Sequence, residues 1–196
     1  MPTDVEILKN RFVTVQLTLL SIAVALILEN LLSMLLDLEV WSWLVAAQAF
    51  EVGTSAISMW VGFALGISAV NKPPHLMDFL VHFMLLFSLS TAVYFISTGY
   101  LPGYFLASTV GSGSAALTLW MDHSTARRYG ASGPVNTAKL LTLVAAFEGT
   151  LALLTLATDI SHSWITALIL PVILLQGSAA YRSIRQWQQV LGQASC

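Results

Sequence analysis

Three glutamates set in apolar surroundings, Glu29, Glu51 and Glu148, are the residues of this chain best placed to do chemistry. Glu51 lies in the apolar stretch Trp41–Ile67. At a helical rise of ~1.5 Å per residue it would sit ~15 Å from that stretch's start. A carboxylate at such a depth in a membrane costs roughly 3 kcal/mol or more and marks a functional position. No Lys or Arg lies at a similar depth in any apolar segment. Glu51 must therefore be protonated, hydrogen-bonded, hydrated or occupied by a bound cation. Such a group can carry protons or small cations, or stabilise positive charge on a substrate.

Glu148 sits in Ala146-Phe-Glu-Gly-Thr150, and Glu51 in Ala49-Phe-Glu-Val-Gly-Thr54. The two motifs are about half the chain apart, in the second and fifth apolar segments, so equivalent positions are offset by three segments. That is the pattern of a 3+3 inverted repeat, whose ion sites lie near the midplane. The likeness does not extend to the other segments, so chance is the competing explanation.

Lesser candidates surround these two. Thr54, Ser58, Gly62 and Gly66 recur every fourth residue, a small-residue face suited to close helix packing, with Glu51 one turn before it. This spacing predicts that Gly62→Leu clashes with a neighbouring helix. Asp78 and His82 can pair on one helical face, either as an interfacial ion pair or as a proton entry point. Thr14, Thr18, Ser21, Ala25, Glu29 and Ser33 share another face. It reads as a helix contact or as a polar path ending at Glu29.

The elements that must hold these residues are transmembrane helices. The chain has 196 residues, 57% hydrophobic and 9% charged, with mean hydropathy +0.79. Soluble domains carry about 25% charged residues. Six apolar segments are expected at about 12–33, 41–67, 76–98, 101–121, 138–158 and 164–181, each near the ~20 residues that cross a bilayer. The predicted fold is all-α, a single polytopic domain of six transmembrane helices. Lys9, Arg11, Lys72, Arg127, Arg128, Lys139, Arg182 and Arg185 all fall on one side of this arrangement. The positive-inside rule then places both termini in the cytoplasm of a plasma (inner) membrane. Trp41, Trp43, Tyr100, Tyr104 and Trp164 would form the outer aromatic belt; Trp120, Tyr181 and Trp187 would form the inner one. The first residues, Met-Pro-Thr-Asp-Val-Glu, lack a basic signal region, so the first span is expected to remain as an anchor. Pro171 should kink the sixth.

Thr109-Val-Gly-Ser-Gly113 resembles the Thr-Val-Gly-Tyr-Gly filter of potassium channels, with serine in place of tyrosine. The resemblance implies a carbonyl-lined filter. The surrounding run Ala107–Ala116 is small or hydroxyl-bearing apart from Val110, and favours a close-packed helix instead.

Nucleotide loops, zinc-binding pairs and nucleophile triads are missing, and the only cysteine is Cys196. No cofactor, metal or nucleic acid is expected. The bilayer, a small ion or small-molecule substrate, and further copies in a homo-oligomer are the expected partners. These features point to an ion channel or a cation- or proton-coupled transporter using buried glutamates. Alternatives are an intramembrane enzyme on a lipid or isoprenoid, or a non-catalytic subunit of a membrane complex. Glu51, Glu148, Glu29, Thr54, Ser58 and His82 are the candidate ion- or substrate-binding residues.

Overall fold

The computed structural model describes residues 4–38, 41–69, 76–128, 135–158 and 160–194 and, within these, backbone alone for 4–12, 66–69, 76, 78, 125–128 and 190–194. It has six α-helices: α1 (Asp4–Leu36), α2 (Trp43–Ala69), α3 (Leu76–Thr98), α4 (Leu101–Arg128), α5 (Val135–Ala157) and α6 (His162–Ala194). Among the described residues there is no strand. Helices α1, α4 and α6 run past the apolar segments because their polar flanks hold no proline. α6 continues through Pro171 without interruption.

Five helices are long and apolar enough to cross a membrane: α1, α2, α3, α5 and α6. α4 has the length, at 28 residues, but its small and hydroxyl residues dilute its apolarity. That run is what lets α4 lie close between α3 and α5, its main neighbours. A Cβ built on Gly111 would meet Ser88 Oγ of α3 at 2.8 Å, and one on Gly149 of α5 would meet Thr109 of α4 at 3.6 Å. The helix is continuous through Thr109–Gly113. Its carbonyls therefore serve the helical ladder and do not ring a filter.

The polarity is that of a membrane-embedded bundle. Leu19, Leu32, Phe87, Leu143, Leu153 and Leu174 are each more than half exposed, whereas Gln48, Glu51, Ser88, Ser112, Thr137 and Glu148 are buried. Large apolar side chains outside and polar groups within suit a hydrocarbon surrounding.

Caps and turns set the directions. Ser42 Oγ accepts from the Val45 amide at 3.2 Å and caps α2. Gly99, at φ 68°, closes α3 in the left-handed conformation that favours glycine. The Tyr100 amide reaches Phe95 O and the Gly99 amide reaches Ile96 O, the paired bonds of a Schellman turn. The chain then re-enters directly as α4, antiparallel to α3.

One end of the bundle carries Arg182 and Arg185 of α6 and Lys139 of α5, together with the start of α1 and the end of α4; we call it the basic end. The hydrophobic core fills the opposite, far half, where Val52, Val93, Ile96, Phe105, Leu151 and Ile169 pack together. Trp41, Trp43, Tyr100 and Trp164 are exposed at the far end, and Trp120 and Tyr181 are exposed towards the basic end. Two belt assignments are corrected: Tyr104 is fully buried and Trp187 is 2% exposed. Trp187 belongs to a continuous α6 rather than to a segment lying on the surface.

Two packing expectations also change. Thr14, Thr18, Ala25, Glu29 and Ser33 of α1 are exposed. α1 instead buries Leu20, Val24, Ile27 and Leu31. Ser21 of the stripe accepts from Trp60 Nε1 of α2 at 2.9 Å. On α2, a Cβ at Gly62 would meet nothing within 4 Å, so Gly62 faces open space and the close helix approach behind the predicted clash is not there. Gly66 lies among residues described by backbone alone.

The tight glycine is Gly103, where a Cβ would come within 2.6–2.7 Å of the Phe95 and Tyr100 rings. Those rings are themselves in contact, centroids 5.6 Å apart. Gly103→Ala is expected to cost about 1–3 kcal/mol by overpacking, while Gly62→Ala stays within about 0.5 kcal/mol. Thermal melting of both variants in one detergent checks this ordering, and equal melting would refute it.

Candidate ion site

α2, α4, α5 and α6 each send polar side chains to one buried point. Glu51 enters from α2 and Glu148 from α5, 3% and 1% exposed respectively. Gln176 of α6 stands between them. The two hydrogens of its amide nitrogen are shared among three acceptors, Glu148 Oε1 at 2.9 Å, Glu51 Oε1 at 3.3 Å and Ser112 Oγ at 3.3 Å. Its amide oxygen faces away and accepts from Ser55 Oγ at 3.3 Å. Tyr104 of α4 donates to Glu51 Oε2 at 2.7 Å. Both oxygens of Glu51 thus have donors. Glu148 Oε2 is buried and accepts no hydrogen bond.

The two carboxyls lie within hydrogen-bonding reach of each other, with Ser108 and Ser112 alongside. Among the described residues no Lys, Arg or His bonds either carboxyl. Nor do three His, Cys, Asp or Glu side chains come together as a metal-holding group.

A cavity of about 200 Å³ runs from this cluster. Glu51, Ser112 and Gln176 line its inner part, and Gln16, Asp122 and Ser183 line it towards the basic end. Glu148, hydrogen-bonded to Gln176, does not itself line the cavity. On the far side Tyr104 joins the apolar core, so the cavity is blind there.

Comparison with known protein families, curated proteins and solved structures gives no match. The site is therefore read from its own geometry.

Of the expected site residues, Glu51 and Glu148 meet directly. Thr54, Ser58 and His82 line the same cavity. The Thr54 hydroxyl is satisfied within its own helix, by Phe50 O at 2.7 Å and Glu51 O at 3.1 Å. His82 is buried and meets the Phe63 ring edge-on, centroids 4.3 Å apart. Asp78, its expected partner, has its side chain outside the described residues. Glu29 is not brought to the site: it is exposed on α1. Glu51 and Glu148 come from the two Ala-Phe-Glu segments, yet the helix pairing is not that of a two-fold exchange. α3 packs extensively on α4 with no comparable α6–α1 contact among the described residues.

Sequence reasoning missed Gln176 and assigned Tyr104 to the belt. Gln176 did leave a signal. It is the lone amide in an apolar run, Pro171-Val-Ile-Leu-Leu-Gln-Gly, and long polar side chains inside a span usually face protein.

Proposed function

We propose that this protein is a transporter moving protons or small cations across the plasma (inner) membrane, with Glu51 and Glu148 as the groups that bind the coupling ion. One observation carries the reading: two adjacent buried carboxyls, with no base bonded to either among the described residues, stand at the inner end of a cavity whose lining extends towards the basic end. Two neighbouring carboxylates in a low-dielectric interior repel strongly, and neither has a cationic side chain to offset the desolvation cost. An exchangeable proton or cation satisfies both demands. The apolar packing of the far half supports a transporter over an open channel, because among the described residues it leaves no continuous polar path. The one-sided placement of the bases supports a cytoplasmic basic end, so the cavity would face the cytoplasm.

The test is flux in proteoliposomes under imposed proton, sodium and potassium gradients. The wild-type protein is expected to dissipate at least one of them. Glu51→Gln with Glu148→Gln is expected to slow that flux at least tenfold while the protein still melts cooperatively. Undiminished flux in the double variant removes the site from the mechanism. A wild-type protein that conducts none of these ions removes the function.

A further inference from the structure

We infer that the ion resident at this site is a single proton, carried on Glu148 Oε2 and shared with Glu51, while Glu51 is the fixed acceptor of the pair. This rests on the transport reading only for its purpose; the occupant is argued from hydrogen bonding alone.

Four carboxyl oxygens meet at the cluster. Gln176 Nε2 supplies donors to Glu51 Oε1 and Glu148 Oε1, and Tyr104 supplies one to Glu51 Oε2. Glu148 Oε2 is left without one, although the Ser112 hydroxyl lies alongside the carboxyl. Buried polar atoms in native proteins are nearly always partnered. A proton on Glu148 Oε2 ends this deficit in one step. It turns the orphan acceptor into a donor, and the Glu51 carboxyl lies within reach to receive it. It also leaves one negative charge where there were two. No protonation of Glu51 does as well, since both its oxygens already face donors.

A metal cation fits poorly. Hard cations need several oxygen ligands. Here the neighbours present hydrogens: the Gln176 NH₂ and the Tyr104 hydroxyl both point at the carboxyls. The Gln176 oxygen is turned to Ser55. Glu148 is also set back from the cavity wall, where a metal ion would have to shed its water, while a proton reaches it through Glu51. Among the described residues, the ionisable groups facing the pair are each other and Tyr104, and α6 presents the neutral Gln176. On release the Glu148 O–H bond breaks, its electron pair stays on the carboxylate, and the proton passes to water in the cavity.

Infrared difference spectroscopy of the full chain in lipid, across a pH titration, reads the occupant without any flux. The expected result is a carboxylic-acid carbonyl band at neutral pH that is lost in Glu148→Gln and shifted in Glu148→Asp. Glu51→Gln should move it but keep it. Melting supplies a second readout. Glu148→Gln offers an NH₂ where the proton's O–H stood, and is expected to melt as the wild type does. Glu51→Gln sets an NH₂ against either the Tyr104 hydroxyl or the Gln176 NH₂, whichever way the amide turns, and should melt lower. A band insensitive to Glu148→Gln, a band removed by added sodium or potassium at fixed pH, or melting loss in Glu148→Gln exceeding that in Glu51→Gln overturns the assignment. The band present in a protein without flux would keep the proton site and sink the transport reading; flux driven by sodium or potassium with no band would do the reverse.

Discussion

Gln176→Leu is expected to abolish flux and to produce the largest stability loss of any single substitution at the site. Leucine matches glutamine closely in volume, so the loss comes from hydrogen bonding rather than from a cavity. The Gln176 amide joins α6 to Glu51 of α2, Ser112 of α4 and Glu148 of α5, and its oxygen takes the Ser55 hydroxyl. Removing it strips donors from two buried carboxyls and an acceptor from Ser55. Each buried polar group left unmatched costs about 1–3 kcal/mol, so the three together are expected to cost roughly 3–9 kcal/mol. Cooperative melting in detergent, read beside proteoliposome flux, measures both effects. Gln176→Asn keeps the chemistry with a shorter reach and should lie between the two. A Gln176→Leu protein that melts and transports as the wild type does would show that the amide bridge matters neither to the fold nor to the site.

The helical elements and the two central carboxylates were legible in the sequence, since both leave a mark that does not depend on neighbours. A span must be apolar for about 20 residues, and a carboxylate inside one is costly wherever it points. The direction in which it points is a different matter. Glu29 and Glu51 are alike in sequence, both acidic within apolar runs. They part company because α1 buries the face of Leu20, Val24, Ile27 and Leu31 and so turns Glu29 out, while α2 turns Glu51 in. That choice is made by the packing of other helices.

The small-residue face of α2 failed for a related reason. Gly62 removes volume, and whether a helix or a cavity occupies the space is settled by distant parts of the chain. Here the cavity took it, and the close approach went to Gly111 against Ser88. The partners of the carboxyls were hidden differently. Gln176 and Tyr104 are uncharged, so their burial carries no alarm in the sequence, and a tyrosine at the start of a span is just what an interfacial belt would supply. Its burial follows from the tight α3–α4 turn at Gly99, which starts α4 at once and puts Tyr104 one turn inside the bundle.

Tyr104→Phe is the second substitution with a large expected effect, and it separates the far-side seal from the site's chemistry. The ring is fully buried beside Phe105, centroids 5.3 Å apart, and phenylalanine keeps that packing. What goes is the hydrogen bond to Glu51 Oε2. The cost to stability should be about 1–3 kcal/mol, that of one buried acceptor left without its donor. The larger consequence is positional. Tyr104 ties Glu51 to the core of the far half, and Gln176 ties it to Glu148. With only the second tie left, Glu51 is free to swing into the cavity, away from the geometry in which it receives the Glu148 proton. Coupled flux is therefore expected to fall about tenfold, equivalent to roughly 1.4 kcal/mol on the limiting step, with little passive leak because the seal is intact. Tyr104→Ala removes ring and hydroxyl together, costs about 3–5 kcal/mol as a large-to-small core change, and should add a proton leak that the phenylalanine variant lacks. Proton efflux from vesicles, followed with a pH-sensitive dye with and without a charge-compensating ionophore, distinguishes coupled flux from leak. Equal leak in the two variants would mean that the ring does not seal the far side, and unchanged coupled flux in Tyr104→Phe would mean that Glu51 needs no tether there.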